Sequence, residues 1–520
     1  MNLSKSRYCS GLQCPKILWL NQNKPEVYDA SVLNEAILEQ GNVVGDLAMG
    51  YYGAYTEAPF NKDDKSAMIA ETKRLLAAGC KTICEASFAF EGNFCSVDIL
   101  RVFDGYVEIT EVKSSSAGGD EDDVAVVDEK ADSQVKDIYL HDMAFQYHVL
   151  TGAGYTVKKT TLLQLNRTYY RDGDIDLQQL FIAEDCTGRV LDLQQGIKSN
   201  LDEINALADL KTEPEREIGM QCIKPYLCGF KKYCWRHIPE NSVFDINGTA
   251  MHWNKKFASH ARGITTFEQM LESGEKLSPT VLLQVKTEVE KQPAFTDKPA
   301  IKEFLQTVTY PVYHLDFETF MPAIPPYNGT HPYSQIPFQY SLHIQEEPGA
   351  EPVHREFLAK EGTDPRRALA ERLCADIPKN VCTLAWNMSF ERGRIKTLAK
   401  EFPDLADHLM NIHDHIVDLI VPFRSHDYYD RGFKGRSSIK LVLPALFPND
   451  PELDYKSLHG IHNGGEAMNA FLNLHTKSPE EIAQIRTDLL AYCCLDTYAM
   501  VKILNKLHEV TAGGHVKDAK

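Results

Sequence analysis

The chain has 520 residues, of which 43% are hydrophobic and 25% charged, and its formal net charge is −18. This length is too great for one compact core and predicts two or three domains, while the absence of any run of eighteen apolar residues excludes a membrane-spanning helix. The acidic charge argues against a protein that coats nucleic acid nonspecifically, but not against an enzyme that acts on it through local basic patches.

The N-terminal sequence "MNLSKSRYCSGLQCPKILWL" lacks the apolar segment and the cleavage site of a signal peptide. We therefore expect a cytoplasmic protein in a reducing compartment. In that setting the thirteen cysteines are expected to be buried thiols or metal ligands rather than disulfides.

The first half of the chain mixes helical and strand patterns. "AMIAETKRLLAAG" predicts a helix, and "FCSVDILRVFDGYVEITEVKSS" predicts a β-hairpin that turns at Asp104-Gly105. The acidic stretch "GGDEDDVAVVDEKAD", residues 118–132, predicts a solvated loop. A helix containing "YLHDMAFQYHVLTGAG" and a strand containing "TTLLQLNRTYY" follow.

This hairpin carries a set of carboxylates with a lysine. Glu111 and Lys113 are two residues apart on one strand and share a face, and the turn brings Asp98 back towards them. Two carboxylates can hold a divalent cation, and the lysine can stabilise charge on a phosphate oxygen. The alternative is an exposed strand face with alternating charge. Gln146, on the helix that follows, adds to the functional interpretation.

The stretch "CIKPYLCGFKKYC" places Cys222, Cys228 and Cys234 at equal spacings of six. Three thiolates are one ligand short of a closed tetrahedral site, so the spacing raises the question of a fourth. Residues 241–305 then predict a mainly helical connector, with "FEQMLESG" and "PTVLLQVKTEVEKQ" among its helices.

A second α/β pattern follows the connector and carries acidic residues on three segments. The strand in "YPVYHLDFETF" presents Asp316 and Glu318 on one face, and "AWNMSFERG" offers Asn387 and Glu391 after the strand "VCTLAW". Taken singly, each is explained equally well as a surface acid near a strand end.

The third acidic segment, "AYCCLDTYAM", places Tyr492 and Asp496 on one face of the last helix. Four convergent carboxylates can bind two divalent ions roughly 4 Å apart, of which one activates water and the other stabilises the leaving oxygen. Tyr492 would orient the attacking water. The tail "TAGGHVKDAK" predicts disorder.

The motif set of the first half resembles the RecB-type members of the PD-(D/E)xK nuclease superfamily. The resemblance rests on Asp98, on the tripeptide Glu111-Val112-Lys113 and on Gln146. It implies that Asp98, Glu111 and the Val112 carbonyl bind metal and that Lys113 supports catalysis. Glu85 is a weaker candidate, and Gly45 stands in "GNVVG" where the family often has a histidine ligand.

A subgroup of these nucleases has one cysteine before the nuclease core and three after it. Here Cys14 precedes the core, so the resemblance implies a cluster on Cys14, Cys222, Cys228 and Cys234 that pins the two ends of the domain together. A [4Fe–4S] cluster is favoured by this resemblance, with structural zinc as the alternative. Cys9 is a rival for the position of Cys14.

The motifs of the second half resemble the DEDD-type 3′–5′ exonucleases of the RNase H-like superfamily. "DFET" corresponds to the first motif, "NMSFE" to the second and "YCCLD" to the third. Glu391 stands where the family ordinarily has aspartate, and Asp418 is a further carboxylate nearby in sequence. The whole chain resembles a bacterial family that fuses an iron–sulfur RecB-like domain to an RNase H-like domain.

The expected fold is therefore α/β. A restriction-endonuclease-like domain with an iron–sulfur staple spans 1–240, a helical connector 241–305 and an RNase H-like domain 306–510.

The expected function is Mg²⁺- or Mn²⁺-dependent hydrolysis of DNA, preferably of single strands or ends, with a second site of the 3′–5′ exonuclease type. RNA as substrate, and a nucleic-acid-binding scaffold with inactive sites, are the alternatives. No nucleotide-binding "GxxxxGK[ST]" occurs, so a helicase would be a partner in trans; DNA repair and phage defence both suit such an enzyme.

Overall fold

The structure is a computed structural model, and it describes residues 3–32, 35–61, 63–117, 135–247 and 250–512. The chain forms two compact units. The first contains Met1–His237 and Pro322–Ser334, and the second contains Ile238–Met321 and Gln335–Lys520. The acidic stretch 118–132, which was predicted to be a loop, and the tail from residue 513 lie outside the described residues.

The first unit is built on a mixed sheet with helices packed against it. Its strands are β1 (Thr56–Glu57), β2 (Thr82–Phe90), β3 (Asn93–Phe103), β4 (Tyr106–Ala117), β5 (Val157–Asn166) and β6 (Phe181–Asp185), in the spatial order β1-β2-β3-β4-β5-β6. Its helices are α1 (Lys5–Gln13), α2 (Pro15–Asn23), α3 (Glu35–Ala48), α4 (Lys65–Ala77), α5 (Asp137–Gly152), α6 (Leu177–Leu180), α7 (Thr187–Ala208) and α8 (Lys231–Cys234).

The predicted hairpin is confirmed as β3 and β4. Phe103 pairs with Tyr106 across a turn in which Gly105 has φ of 76°, a conformation that costs glycine little. Because β4 and β5 are parallel, the chain must cross over between them, and α5 lies in this crossover. The helix is buried on several sides, with Met143, Ala144 and Phe145 in the core of the unit.

The segment 322–334 belongs to the first unit although it comes late in the chain. The Arg171 side chain donates to the carbonyl oxygens of Pro325 and Pro326 at 3.1 and 2.9 Å. The Tyr333 hydroxyl donates to the Ser114 carbonyl at 2.6 Å. These contacts attach the segment to the end of β4 and to the loop that follows β5.

The second unit contains a larger set of helices around another mixed sheet. Its strands are β7 (Phe295–Thr296), β8 (Val312–Phe320), β9 (Ile336–Gln345), β10 (Val353–Leu358), β11 (Cys382–Ala385), β12 (Ile416–Asp418) and β13 (Tyr428–Tyr429). Its helices are α9 (Trp253–Ala261), α10 (Phe267–Glu272), α11 (Pro279–Val289), α12 (Lys298–Leu305), α13 (Arg366–Asp376), α14 (Ser389–Glu401), α15 (Ala406–Asp414), α16 (Val421–Arg424), α17 (Ile439–Leu446), α18 (Gly464–Leu472) and α19 (Pro479–Ala512).

The main sheet of the second unit has the order β10-β9-β8-β11-β12. Strands β8, β9 and β10 pair in antiparallel fashion, and β11 and β12 continue the sheet in parallel with β8. The helices predicted near Phe390 and over the C-terminal segment are confirmed as α14 and α19. The segment 241–305, which was predicted to be mainly helical, contains α9 to α12.

The α/β class predicted from the sequence is confirmed at this level of mixed sheets and helices. Helices bury the sheet faces in both units, as apolar strand faces require. None of the helices within the described residues is long and apolar enough to cross a lipid bilayer.

Candidate functional site

The carboxylates predicted in the first unit lie where β3 and β4 separate. The β3–β4 ladder ends at the pair Ile99–Thr110, so Asp98 and Glu111 are the next residues on the two strands. The backbone N–H of Val112 donates to Asp98 Oδ2 at 2.7 Å, which joins the strands through a side chain once backbone pairing has stopped. Glu111 is 1% exposed. The structure thus brings both predicted carboxylates to one place.

Lys113 and Gln146 complete this group from the strand and from α5. The Lys113 ammonium is 2.5 Å from Glu111 and donates to Asp142 at 2.9 Å. The Gln146 amide donates to Glu111 at 2.6 Å and to Asp142 at 3.1 Å. Asp142 was not predicted from the sequence, although its position four residues before Gln146 on a helix places it on the same face.

A second lysine, also not predicted, lies between the two carboxylates. Lys5 in α1 places its Nζ 3.1 Å from Asp98 Oδ1 and 3.1 Å from Glu111 Oε2. An ammonium between two carboxylates occupies the position that a shared divalent cation would need. Gly45, which stands where the resemblance leads one to expect a histidine, lies in α3 and adds no side chain.

The charges of this group largely compensate one another. Burial alone would raise the pKa of Glu111, but the ammonium groups of Lys113 and Lys5 outweigh burial and hold this pKa below its ordinary value. Burial and then the Glu111 carboxylate raise the pKa of Asp98 to about 6, although Lys5 and Lys113 oppose the change. The carboxylates hold the pKa of both lysines above the ordinary value against the effect of burial.

Glu85 lies beside this group at an irregularity of the sheet. Pairing of β2 with β3 skips Glu85 and Asp98, and Glu85 has φ of 58°, a left-handed conformation that is uncommon for glutamate. Burial and then the Asp98 carboxylate raise the pKa of Glu85 to about 7. Such local strain is often found at functional sites, so Glu85 remains a candidate member of this group.

The four cysteines of the predicted cluster line one small cavity in the first unit. Cys14 lies between α1 and α2, and Cys222, Cys228 and Cys234 come from the segment that ends in α8. Backbone contacts fold this segment, since the Cys228 N–H donates to the Cys222 carbonyl at 3.1 Å. Cys9 instead packs against the main core of the unit, apart from these four thiols.

Polar contacts hold the N-terminal helices against this cysteine segment. The Gln13 amide donates to the carbonyls of Gln221 and Tyr226 at 2.8 and 2.7 Å. Glu213 forms ion pairs with Lys16 at 2.7 Å and with Lys24 at 2.8 Å. The two ends of the unit therefore meet at the cysteines.

The spacing of these thiols bears on what they could hold. Within the described residues, no three of the four sulfur atoms form a group whose members all lie within 4.8 Å of one another. A single tetrahedral zinc ion with Zn–S bonds of about 2.3 Å would hold its sulfurs ~3.8 Å apart. A four-iron cluster is larger than a single ion and separates its cysteine ligands more widely.

Carboxylates of the second unit converge from β8 and α19. Asp316 and Glu318 lie on one face of β8, and Asp496 approaches from α19; these three residues offer oxygen atoms that all lie within 4.8 Å of one another. Glu318 and Asp496 are 8% and 7% exposed. The structure therefore assembles the first and third predicted acidic segments into one group.

Glu391 adds a fourth carboxylate near this group from the first turn of α14. It is 1% exposed, and its Oε2 has no hydrogen-bond partner within the part of the chain that the structure describes. Burial and then the Asp316 carboxylate hold its pKa well above the ordinary value. A buried carboxylate oxygen without a partner is costly unless a cation or a proton accompanies it.

Asp418, the further carboxylate of the sequence prediction, has hydrogen-bond partners at both of its oxygens. Its Oδ1 accepts from the backbone N–H of Asn387 at 2.9 Å, and its Oδ2 accepts from Arg424 at 3.2 Å. These bonds hold the turn in which Asn387 has φ of 68°, directly before α14. Asp418 thus supports the segment that carries Glu391, while the Asn387 side chain lies at the surface.

Tyr492 lies one helical turn before Asp496 in α19, as predicted. The Lys440 ammonium donates to the Tyr492 hydroxyl at 2.9 Å, and hydrogen bonding from this hydroxyl to Asp496 acts to lower the pKa of that carboxyl. The Tyr455 hydroxyl donates to Asp496 Oδ1. Lys440 and Tyr455 were not found from the sequence, because they come from α17 and a short helical turn that carry no recognisable motif.

The electrostatics of this centre differ from those of the first unit. Burial, and then the neighbouring carboxylates, hold the pKa of Asp316 and of Glu318 well above the ordinary values. Burial also raises the pKa of Asp496, against hydrogen bonding from Tyr455 and the charge of Lys440. Mutually repelling buried carboxylates are the donor set that hard divalent cations prefer, so these residues fit such ions.

Comparison with known proteins gives a partial match in this region. Residues 313–438 match a family model described as a domain of unknown function (DUF2779). The matched range contains Asp316, Glu318, Glu391 and Asp418 and ends before Asp496. No curated protein and no solved structure matches the chain.

Proposed function

We propose that this protein is a metal-dependent nuclease, and that the carboxylate centre of the second unit hydrolyses phosphodiester bonds of DNA. The observation that carries the proposal is the convergence of Asp316, Glu318 and Asp496 within 4.8 Å. The unpartnered Oε2 of buried Glu391 adds a fourth oxygen donor. This donor set suits Mg²⁺ or Mn²⁺.

Two divalent ions held by such carboxylates would activate water and stabilise the leaving oxygen. The protein's own residues prepare the centre. Tyr455 fixes the orientation of Asp496, and Lys440 positions the Tyr492 hydroxyl, whose hydrogen can orient a water molecule or a phosphate oxygen. Burial, followed by the charge of Asp496, keeps the pKa of Tyr492 above its ordinary value, so that it acts as a neutral donor.

The strand order β10-β9-β8-β11-β12, with acids on β8, α14 and α19, supports the RNase H-like, DEDD-type assignment. That resemblance implies removal of nucleotides from 3′ ends. The substitution of glutamate for aspartate at Glu391 is accommodated here because the longer side chain starts from the first turn of α14 and is buried.

A second hydrolytic centre of the RecB type is favoured by the contacts of Lys113. Its ammonium touches Glu111 and Asp142, and Gln146 bonds both of these carboxylates. Asp98 and Glu111, with the Val112 carbonyl, would hold a cation there only if the Lys5 ammonium moved aside. We therefore assign the main activity to the second unit.

The four cysteines of the first unit are proposed to hold a [4Fe–4S] cluster. Their common cavity supports one shared metal group, and the resemblance favours a cluster over a single zinc ion. Its role would be to join the N-terminal helices to the segment 210–235. Absorption, iron and acid-labile sulfide measured on anaerobically purified protein test this; zinc without iron would favour the alternative.

The test of the nuclease proposal compares the two centres on one substrate. Wild type, Asp316→Asn and Lys113→Met are incubated with 5′-labelled single-stranded DNA and Mg²⁺ or Mn²⁺, and matched RNA is run in parallel. Asp488→Asn is the control, because Asp488 is a buried aspartate of the same α19 that bonds His459 and Gln484 instead.

We expect wild type and Asp488→Asn to produce a ladder of products shortened from the 3′ end, and Asp316→Asn to lose it. Loss in Lys113→Met alone would transfer the activity to the first unit. Cleavage of RNA alone would change the substrate class. Intact DNA and RNA with both metals, together with retained binding, would replace the nuclease proposal by a binding or scaffold function.

A further inference from the structure

A row of histidines crosses the main sheet of the second unit. His314 on β8 pairs with His343 on β9, and His343 pairs with His354 on β10. Directly paired residues of antiparallel strands project to the same face of a sheet. The three imidazoles therefore share the face on which His343 contacts Thr497 of α19.

Cys494 of α19 joins two of these histidines. Each of His343, His354 and Cys494 offers one nitrogen or sulfur atom, and the three atoms lie within 4.8 Å of one another. Cys494 Sγ is 4.0 Å from His354 Nδ1, and the rings of His343 and His354 stack with centroids 4.5 Å apart. Two imidazoles and a thiol are ligands of zinc and related borderline metals.

Hydroxyl groups set the orientation of both rings. Ser341 Oγ is 2.9 Å from His354 Nε2, and Thr497 Oγ1 is 2.7 Å from His343 Nδ1. Ser341 and Thr497 are themselves 2.6 Å apart, and Thr497 can donate to the Cys494 carbonyl at 3.2 Å. When each ring donates its proton to its hydroxyl, all of these bonds are satisfied together.

That assignment leaves His354 Nδ1 and His343 Nε2 as lone-pair donors, and His354 Nδ1 is the atom that lies 4.0 Å from Cys494 Sγ. Metal-ligating histidines commonly donate their other ring N–H to an oxygen in this way. Burial lowers the pKa of both rings, that of His343 to about 4, so the imidazoles are neutral at neutral pH.

The next member of the row, His314, differs from the other two rings in its hydrogen bonding. His314 is fully buried, and among the described residues neither ring nitrogen has a hydrogen-bond partner. Gln345 lies close enough to affect its pKa but not in hydrogen-bond geometry. A buried imidazole of this kind costs free energy unless something else compensates it.

We propose that His343, His354 and Cys494 form a site for a borderline divalent metal of the zinc class, separate from the carboxylate centre. A metal there would join β9 and β10 to α19, the helix that also carries Tyr492 and Asp496. The thiol would lose its proton on binding, as cysteine ligands do. Such a metal would steady the helix that supplies the third acidic segment.

The test uses the full chain, purified anaerobically, stripped with a chelator and reloaded with Zn²⁺ or Co²⁺. Wild type is compared with His354→Gln, Cys494→Ser and Cys494→His. Cys374→Ser is the control, because Cys374 is a partly buried cysteine of the same unit outside the group. Metal content is measured by elemental analysis, and the thiolate-to-Co²⁺ absorption band by spectroscopy.

We expect His354→Gln and Cys494→Ser to bind one equivalent of Zn²⁺ less than wild type and Cys374→Ser. Cys494→His should keep the metal at this site but show a weaker thiolate-to-Co²⁺ absorption band, because the site then has no thiolate ligand. Misfolding would not produce this combination. The thiols near Cys222 contribute equally to all of these proteins. Equal Zn²⁺ content in every variant, or an unchanged band in Cys494→His, overturns the proposal.

Discussion

Replacing Lys5 tests whether its ammonium takes the place of a cation in the first unit. Lys5→Met keeps most of the length of the side chain and removes the charge that lies 3.1 Å from both Asp98 and Glu111. We expect the metal-free protein to lose stability and to gain a binding site for Mn²⁺. Both changes follow because the two carboxylates would repel each other without an intervening positive charge.

The size of the effect can be estimated from these distances. At 3.1 Å and an effective dielectric constant of 20, each contact has a gross energy of about 5 kcal/mol. Desolvation offsets much of it, and removal of one partner from a buried pair typically costs 3–5 kcal/mol. Because the Lys5 side chain is 25% exposed, we expect a loss of about 3 kcal/mol. A loss of this size corresponds to about 6–12 °C in the melting temperature of a unit of this length.

Thermal unfolding and calorimetric titration with Mn²⁺ measure the two changes on the full chain. Lys5→Met should bind one more equivalent of Mn²⁺ than wild type, and Mn²⁺ at a hundred times Kd should restore about 2.7 kcal/mol. Asp98→Asn in the Lys5→Met background should abolish the added site. Lys16→Met is the matched control, since Lys16 pairs with Glu213 away from these carboxylates. A Lys5→Met protein as stable as wild type, with unchanged Mn²⁺ stoichiometry, would refute the reasoning.

Three further substitutions test the electrostatics of both centres. Because the pKa of Glu85 is raised to about 7, folded Glu85 binds more protons than unfolded Glu85 between about pH 4.5 and 7, and stability falls as pH rises through that window. Glu85→Gln should therefore be more stable than wild type at pH 8, by about 2–3 kcal/mol, and near equal at pH 4.5, in denaturant titrations. Glu391→Gln should raise the melting temperature in EDTA, because it removes repulsion among the buried carboxylates. It should also lower Mn²⁺-dependent cleavage at least ~10-fold. A lower melting temperature in EDTA would contradict this prediction. Tyr455→Phe removes the donor to Asp496 and should cost about 1–2 kcal/mol in unfolding experiments, whereas an unchanged free energy of unfolding would show that the bond adds nothing.

Much of each centre was predictable where the evidence is local. Strand alternation placed Glu111 and Lys113 on one face, and the hairpin turn returned Asp98 to them. Lys5 was not predictable, because it reaches the carboxylates from a helix 93 residues before Asp98 in the chain. Asp142 had a usable signal, its helical spacing from Gln146, but an aspartate on a helix is too common to be singled out without its partners.

In the second unit the three histidines and Cys494 were missed for one reason. The pairing of His314, His343 and His354 depends on the register of three strands, and a shift of one residue would send a side chain to the opposite face. Cys494 precedes Asp496 by two residues in the same helix and so faces elsewhere. Register and helix rotation are set by packing over the whole unit, which no short motif specifies.

The two carboxylate centres, which the sequence presents as similar, differ in what balances their charge. In the first unit Lys5 and Lys113 lie against Asp98 and Glu111, so the centre is assembled by the protein's own cations. In the second unit Lys440 bonds Tyr492 instead, and the charges of Lys440 and Arg394 lower the pKa values of the convergent carboxylates less than burial raises them.

This difference determines how each centre depends on metal. A compensated group gains little from a cation, because binding must displace an ammonium that already satisfies the same oxygens. A group of buried carboxylates whose neighbouring cations do not outweigh burial must either bind protons, which its raised pKa values reflect, or bind cations. Near neutral pH a bound divalent ion would offset both the cost of burying these charges and their mutual repulsion. This difference supports the proposal that metal binding and hydrolysis belong to the second unit.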